Sequence, residues 1–175
     1  MLITMQYITS KNVKELISGN QNLLKEFSVS SQLTNLQKDM LEFDNKLKNA
    51  IITGDSANIR DYGRGLRKIE NDISALENVN SNDSVLQYIG EMNNLVHQKL
   101  QFSNAVAESF NKSGKQAAEK LFATEKGIIL SHEILVLAQK IDSNRQAALA
   151  RTTIQLDNSG QKAFRWGVIT ITAVL

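Results

Sequence analysis

There is no proline and no cysteine in the 175 residues. Proline breaks helix interiors and punctuates loop-rich and β-rich folds, so its absence leaves room for long uninterrupted helices. Without cysteine there are no disulfides, thiolate metal sites or cysteine nucleophiles, and the count suits a cytoplasm or a periplasm equally well. Aromatic residues make up only 6% of the chain, and the dominance of Leu, Ala, Lys, Glu, Gln and Asn points to an all-helical protein. An excess of one charge is also missing: 20 Lys and Arg stand against 18 Asp and Glu. The basic residues are scattered rather than gathered on one face, so nucleic-acid binding is not expected. No apolar run reaches the roughly 20 residues of a membrane-spanning helix. The opening residues, Met1 to Ile8, lack the basic leader and cleavage site of a signal peptide.

What the chain does have is helical periodicity. Over residues 12–52 the apolar positions are Val13, Leu16, Leu23 and Phe27, then Leu33, Leu36, Met40, Phe43, Leu47 and Ala50. The second group alternates steps of three and four, and the phase slips between Phe27 and Leu33. Gly54 suits the left-handed position after a helix, and Asp55 or Ser56 caps the next one. That second helix, residues 56–78, carries Ile59, Tyr62, Leu66, Ile69, Ile73 and Leu76. Ser84 and Gln87 form a capping box for a third helix ending near Phe110, with Ile89, Met92, Leu95, Phe102 and Val106. From Ser113 onward a single helix to Leu175 is expected, capped at Ser113-Gly114-Lys115-Gln116, on Ala118, Leu121, Ile128, Leu135, Ala138, Ile141, Leu149, Thr152 and Leu156.

These spacings predict an up-down-up-down antiparallel four-helix bundle with long first and last helices, roughly 60–80 Å, and a short middle hairpin of roughly 35–40 Å. Both apolar ends then fall at one end of the rod. Residues 1–10 are expected to be the end of a first membrane helix, 11–165 the bundle, and 166–175 the start of a second, both membrane helices cut short. Trp166 suits an interfacial anchor, and Gly160 marks the approach to it. Lys11, Lys14, Lys162 and Arg165 run against the usual enrichment of positive charge on the cytoplasmic side.

His97 and His132 sit on different helices, and His132-Glu133 lacks the second histidine of a zinc-protease motif, so no metal or cofactor is expected. Gly63-Arg64-Gly65 follows no strand and is not a phosphate loop. No serine-histidine-acid arrangement is present, and no catalytic centre is expected. Three polar residues phase with the seams: Asn20, Lys99 and Arg145. A buried charge must be paired, so these are candidate contacts for a ligand held between helices; they could equally set register or snorkel at an edge.

Ile51-Ile52-Thr53-Gly54-Asp55 followed by Tyr62 resembles the signature of the CHASE-type extracellular sensory domains, of the third, four-helix class. Leu95 to Val106 resembles that family's third helix, Lys112-Ser113-Gly114 with Ala117-Ala118 its next turn, and Phe122-Ala123-Thr124 through Gly127, then Glu133-Ile134, its following segment. Arg145 and Arg151 fall in its charged continuation. The resemblance covers roughly residues 36–151. Lys48-Asn49-Ala50 departs from the family's usual Arg-Gly-Tyr, and Glu125 replaces a glycine. The resemblance implies an extracytoplasmic input module between two membrane helices of a histidine kinase, chemoreceptor or nucleotide cyclase, with a sensor histidine kinase as the leading case. The leading reading adds a parallel homodimer through the long helices, a possible small-molecule ligand, and Ile141 and Leu149 on the helix that relays the signal. A chemoreceptor input domain or a non-sensing coiled-coil scaffold are the alternatives.

Overall fold

The structure, a computed structural model, describes residues 2–55, 57, 62–79 and 83–174, excepting the side chains at 2–6, 83–84 and 169–174. Among them are five helices and no strand: α1 (Leu2–Thr53), α2 (Tyr62–Glu77), α3 (Asp83–Ser113), α4 (Lys115–Phe122) and α5 (Glu125–Val174). The protein is an all-α helical bundle, as its periodicity predicts. The chain forms two compact units: Val29–Asp142, and Met1–Ser28 with Ser143–Leu175.

Within Val29–Asp142 the elements pair antiparallel. Asp39 meets Lys68 while Phe43, further along α1, meets Tyr62, earlier on α2. Likewise Lys99 of α3 meets Gly127, and Tyr88 lies under Lys140. The core has two clusters. One joins Leu36, Ile69, Ile73, Met92, Val96 and Ile141 from four helices. The other joins Leu47, Ile51, Phe102, Val106, Ala118 and Leu130. The regular seam read for residues 33–50 is the buried one, and Ile69, Ile73 and Leu76 line α2 as expected.

Two glycines make the sharp turns. Gly54 and Gly114 adopt φ of 74° and 80°, a region that costs other residues their Cβ clearance. Gly54 closes α1 with its N–H on the Ala50 carbonyl, and Asp55 Oδ1 accepts from the Ala57 N–H at 2.8 Å. Lys115 donates to the Ile52 carbonyl, so the residue after the second turn satisfies an orphan carbonyl at the end of α1.

Several sequence expectations are corrected. Ser113 is the last residue of α3 rather than a cap, and Gly114 alone precedes α4 without a side-chain cap. The expected single fourth helix is broken at Ala123-Thr124. There the Thr124 hydroxyl donates to the Leu121 carbonyl at 2.8 Å and so terminates α4. Glu125 then opens α5, where an acid faces the positive end of the helix dipole. Ile128 and Leu135 are exposed; the buried seam of α5 is Gly127, Leu130, Ile134, Leu137, Ile141. Ile59, Ser56 as a cap and the Ser84 side chain lie outside the described residues.

Because Leu36 is fully enclosed and Leu41 on the same helix is exposed, Leu36→Ala is expected to cost about 2–5 kcal/mol. Leu41→Ala should stay within about 0.5 kcal/mol of the parent. Denaturant unfolding followed by circular dichroism measures both.

Candidate functional site

Bundles of this kind present chemistry where polar side chains interrupt an apolar seam. In Val29–Asp142 one interruption is Lys99. Its ammonium is buried, paired with Asp44 Oδ2 at 3.0 Å, donating to the Gly127 carbonyl at 3.4 Å and lying 5.9 Å from the Phe102 ring centre. Gly127 has no room for a side chain, since a Cβ would meet the same ring. Lys99 thus joins α1, α3 and α5 from inside, and internal partners occupy the charge that sequence reasoning offered to a ligand.

The second interruption is an acidic pair that the sequence did not single out. Asp39 of α1 is buried and accepts from Lys68 Nζ at 2.6 Å. Asp72, one turn along α2, shares a side-chain hydrogen bond with Asp39. Burial pushes Asp39 up, but the bonds from Lys68 and Asp72 outweigh it and hold its carboxyl below the ordinary value. Burial, then the hydrogen bond and charge of Asp39, push Asp72 up to about 6. The Asp39–Asp72 pair therefore holds a proton more tightly than an isolated aspartate does. The available signal was positional: Asp39 adjoins Met40 and Asp72 adjoins Ile73, both at the seam's edge, with Lys68 and Asp72 at i,i+4. A cleft of about 230 Å³ opens beside the pair, lined by Phe43, Lys46, Tyr62, Arg64 and Gly65. Its rim charges are mutually satisfied, Lys46 on Glu42 at 2.8 Å and Lys68 on Asp39. Burial, then the Asp44 charge, raise the Tyr62 phenol.

In the unit made of the terminal segments, the facing seams are polar. Asn12, Arg145, Thr152 and Ser159 are buried. Ser159 donates to Glu15 Oε2 at 2.9 Å, and Arg145 donates to the Glu26 carbonyl at 3.5 Å. Burial raises the Glu26 carboxyl against the lowering pull of Arg145. A Cβ on Gly19 would run into Leu156. These pairs run in opposite order along α1 and α5, so the segments are antiparallel. A polar cleft of about 420 Å³ between them is lined by Glu15, Ser18, Asn22, Gln155, Asn158 and Lys162.

The three proposed ligand residues fall in different units. Lys99 belongs to Val29–Asp142, Arg145 and Asn20 to the other unit, and Asn20 is exposed rather than in the inner seam. Of the four positions read as one seam, Leu16 and Leu23 face inward with Asn12 and Gly19, whereas Val13 and Phe27 are exposed. Ile141 is fully buried, Leu149 and Gly160 are half-buried, and Trp166 is exposed. His97 and His132 are exposed, and no group of three potential metal ligands occurs among the described residues.

Two outcomes follow. Removing Lys99 strands a partly exposed Asp44, so Lys99→Ala should lose about 2 kcal/mol of stability, less than the 3–5 kcal/mol of a fully buried pair. Unchanged stability in denaturant would instead free this lysine for a ligand. For Asp72, a folded pKa of about 6 lies above its ordinary 3.8, so the native state holds the proton more tightly and stability falls as pH rises from about 4 to 6. Asp39, held low, acts oppositely and loses its contribution below about pH 4. Asp72→Asn should therefore melt higher than the parent at pH 7.5 and show a flatter melting temperature between pH 4 and 6.

No curated protein and no solved structure matches the chain. The model of the CHASE3 domain matches residues 14–156, more than the motifs alone cover, taking in all of Val29–Asp142 and a stretch of each terminal segment. CHASE3 domains are sensory domains of signalling receptors and are typically extracellular. The left-handed Gly54 and Gly114, the Tyr62 ring tilted against Phe43 with centres 4.6 Å apart, and Gly127 under Phe102 all fall inside that match: the chain belongs to the CHASE3 domain family.

Proposed function

We propose that this chain is the extracytoplasmic signal-input domain of a membrane-bound receptor, a sensor histidine kinase, working as a parallel homodimer. In this arrangement residues 11–165 form the sensory bundle, while residues 1–10 and 166–175 belong to the two membrane helices that flank it. The observation that carries the proposal is the antiparallel pairing of the chain's first and last segments within one compact unit, so that the helices leading in and out depart from the same place. Family membership supplies the sensory role. No helix among the described residues is long and apolar enough to cross a membrane, so the crossing is assigned to sequence flanking the bundle. Phe164, Trp166 and Val168 are exposed at the end of α5, where aromatic side chains suit a membrane interface.

Signalling then consists of shifting two arrangements of the terminal helix pair. A ligand held between helices does this only through differential affinity, about 5.5 kcal/mol for a swing from 1:99 to 99:1. Ile141 holds the core, whereas Leu149 is half-buried in the terminal pair, which separates folding from relay. In the full-length receptor, Leu149→Asp should lock or abolish kinase output while the domain keeps its melting temperature; Ile141→Asp should unfold it. Output unchanged by a folded Leu149→Asp variant would defeat the relay. Placement is tested by Gln139→Cys, an exposed site in a chain with no other cysteine: a membrane-impermeant maleimide should label it in intact cells, and labelling only after lysis would reverse the orientation.

A further inference from the structure

The outward side of α1 in the terminal unit carries a second seam. Val13, Ile17, Leu24 and Phe27 are between 46% and 63% exposed, and with Asn20 they step by 4, 3, 4 and 3 along the helix. That is a strict heptad, one residue out of phase with the inner seam of Asn12, Leu16, Gly19, Leu23 and Glu26. Continuing the same heptad along α1 gives Ser31, Thr34 and Lys38, so the apolar part is confined to the terminal unit. Because the two segments run antiparallel, a shift of one residue turns both helices toward the same side of the pair; on α5 that shift from Arg145, Thr152 and Ser159 gives Gln146, Thr153 and Gly160, with the 73% exposed Phe164 one turn further on.

We propose that this face is covered by the same face of a second copy, the two α1 helices running parallel about a twofold axis with Asn20 opposite Asn20. It rests on the homodimeric input domain proposed above and names its interface. Two considerations select a second copy as the occupant. A heptad seam needs a partner of matching period, and the same seam run parallel supplies one by symmetry. A single asparagine amid apolar seam positions fixes register, because only a pairing centred on Asn20 lets the two amides hydrogen-bond to each other; the parallel orientation follows from two input domains standing on one membrane. The area agrees. At roughly 100 Å² for each half-exposed large side chain, the stripe amounts to on the order of 500 Å² of apolar surface per protomer, at the upper end of what monomers leave exposed. With its polar rim it approaches the ~800 Å² per partner of a stable dimer.

The absence of cysteine makes the test direct. Single variants Ile17→Cys, Asn20→Cys and Leu24→Cys of the full chain are oxidised and compared with Ser18→Cys and Asn22→Cys, on other faces of the same helix. A disulfide needs Cα atoms about 4.4–6.8 Å apart, so the seam variants should cross-link about ten-fold faster than the controls, each with its own equivalent. Sedimentation of the parent chain is run alongside. A monomeric parent overturns the homodimer itself. A dimeric parent whose controls cross-link as fast as the seam overturns this face while leaving the dimer standing. Reciprocal Ile17–Leu24 bridges in a mixture, without the self-bridges, would make the pairing antiparallel and overturn the proposal. Asn20→Leu provides a second measure: the dimer should persist or tighten while self-bridging at Leu24→Cys falls as register is lost, and an unchanged cross-linking pattern would remove Asn20 from the role.

Discussion

A helix of about fifty residues that packs along its whole length must keep a buried stripe on one side, and 3.6 residues per turn does not do so unaided. The stripe of α1 is held by steps of four and three, yet from Leu23 through Glu26 to Val29 it takes two threes in succession. On α5 the stripe takes two fours, from Leu137 through Ile141 to Arg145. The first overwinds and the second underwinds the local repeat. Both irregularities fall where the chain divides into its two compact units. The division is thus written into helical phase rather than into a loop, and the absence of proline is what lets both helices carry it unbroken.

The legible part of the fold was the part governed by dense apolar spacing. Residues 33–50, 69–76 and 89–106 have enough Leu, Ile, Met and Phe for the seam to be unique, and the structure buries them as read. The ends were harder because Leu16, Leu23, Thr152 and Leu156 of their inner seam, read as such, alternate with Asn12, Gly19, Glu26 and Ser159, which hydropathy does not mark, while genuinely apolar Val13 and Phe27 face outward. An apolar residue counts equally toward a core and toward a surface that awaits a partner, so by hydropathy alone Val13 and Phe27 of the outer heptad fall into one seam with Leu16 and Leu23 of the inner one. The break at Ala123-Thr124 escaped for a different reason: alanine and threonine carry no breaker signal, and the hydroxyl bond that ends α4 is a matter of local competition for a carbonyl.

The family motifs mark geometry. Gly54 and Gly114 reverse the chain, Lys115 ties those two reversals together, and Tyr62 and Gly127 set the distance between helices through Phe43 and Phe102. Lys99 and Arg145 satisfy carbonyls and acids of neighbouring segments. What the motifs preserve is a frame, and the chemically adjustable groups, Asp39, Asp72 and Lys68, lie beside it.

The polar lining of the terminal pair has a mechanical consequence. Interdigitated branched side chains have one good register, because sliding by a fraction of a turn opens voids that cost free energy in proportion to their volume. Between the leucines of the terminal pair, Asn12, Gly19, Thr152 and Ser159 are short or polar positions that interdigitate less, and the bond from Ser159 to Glu15 re-forms after a small slide. Val29–Asp142 is therefore stiff to shear, and the terminal pair compliant. Stress applied anywhere along α1 or α5 is taken up where resistance is least, so the softest stretch of the molecule is the one built from its two ends.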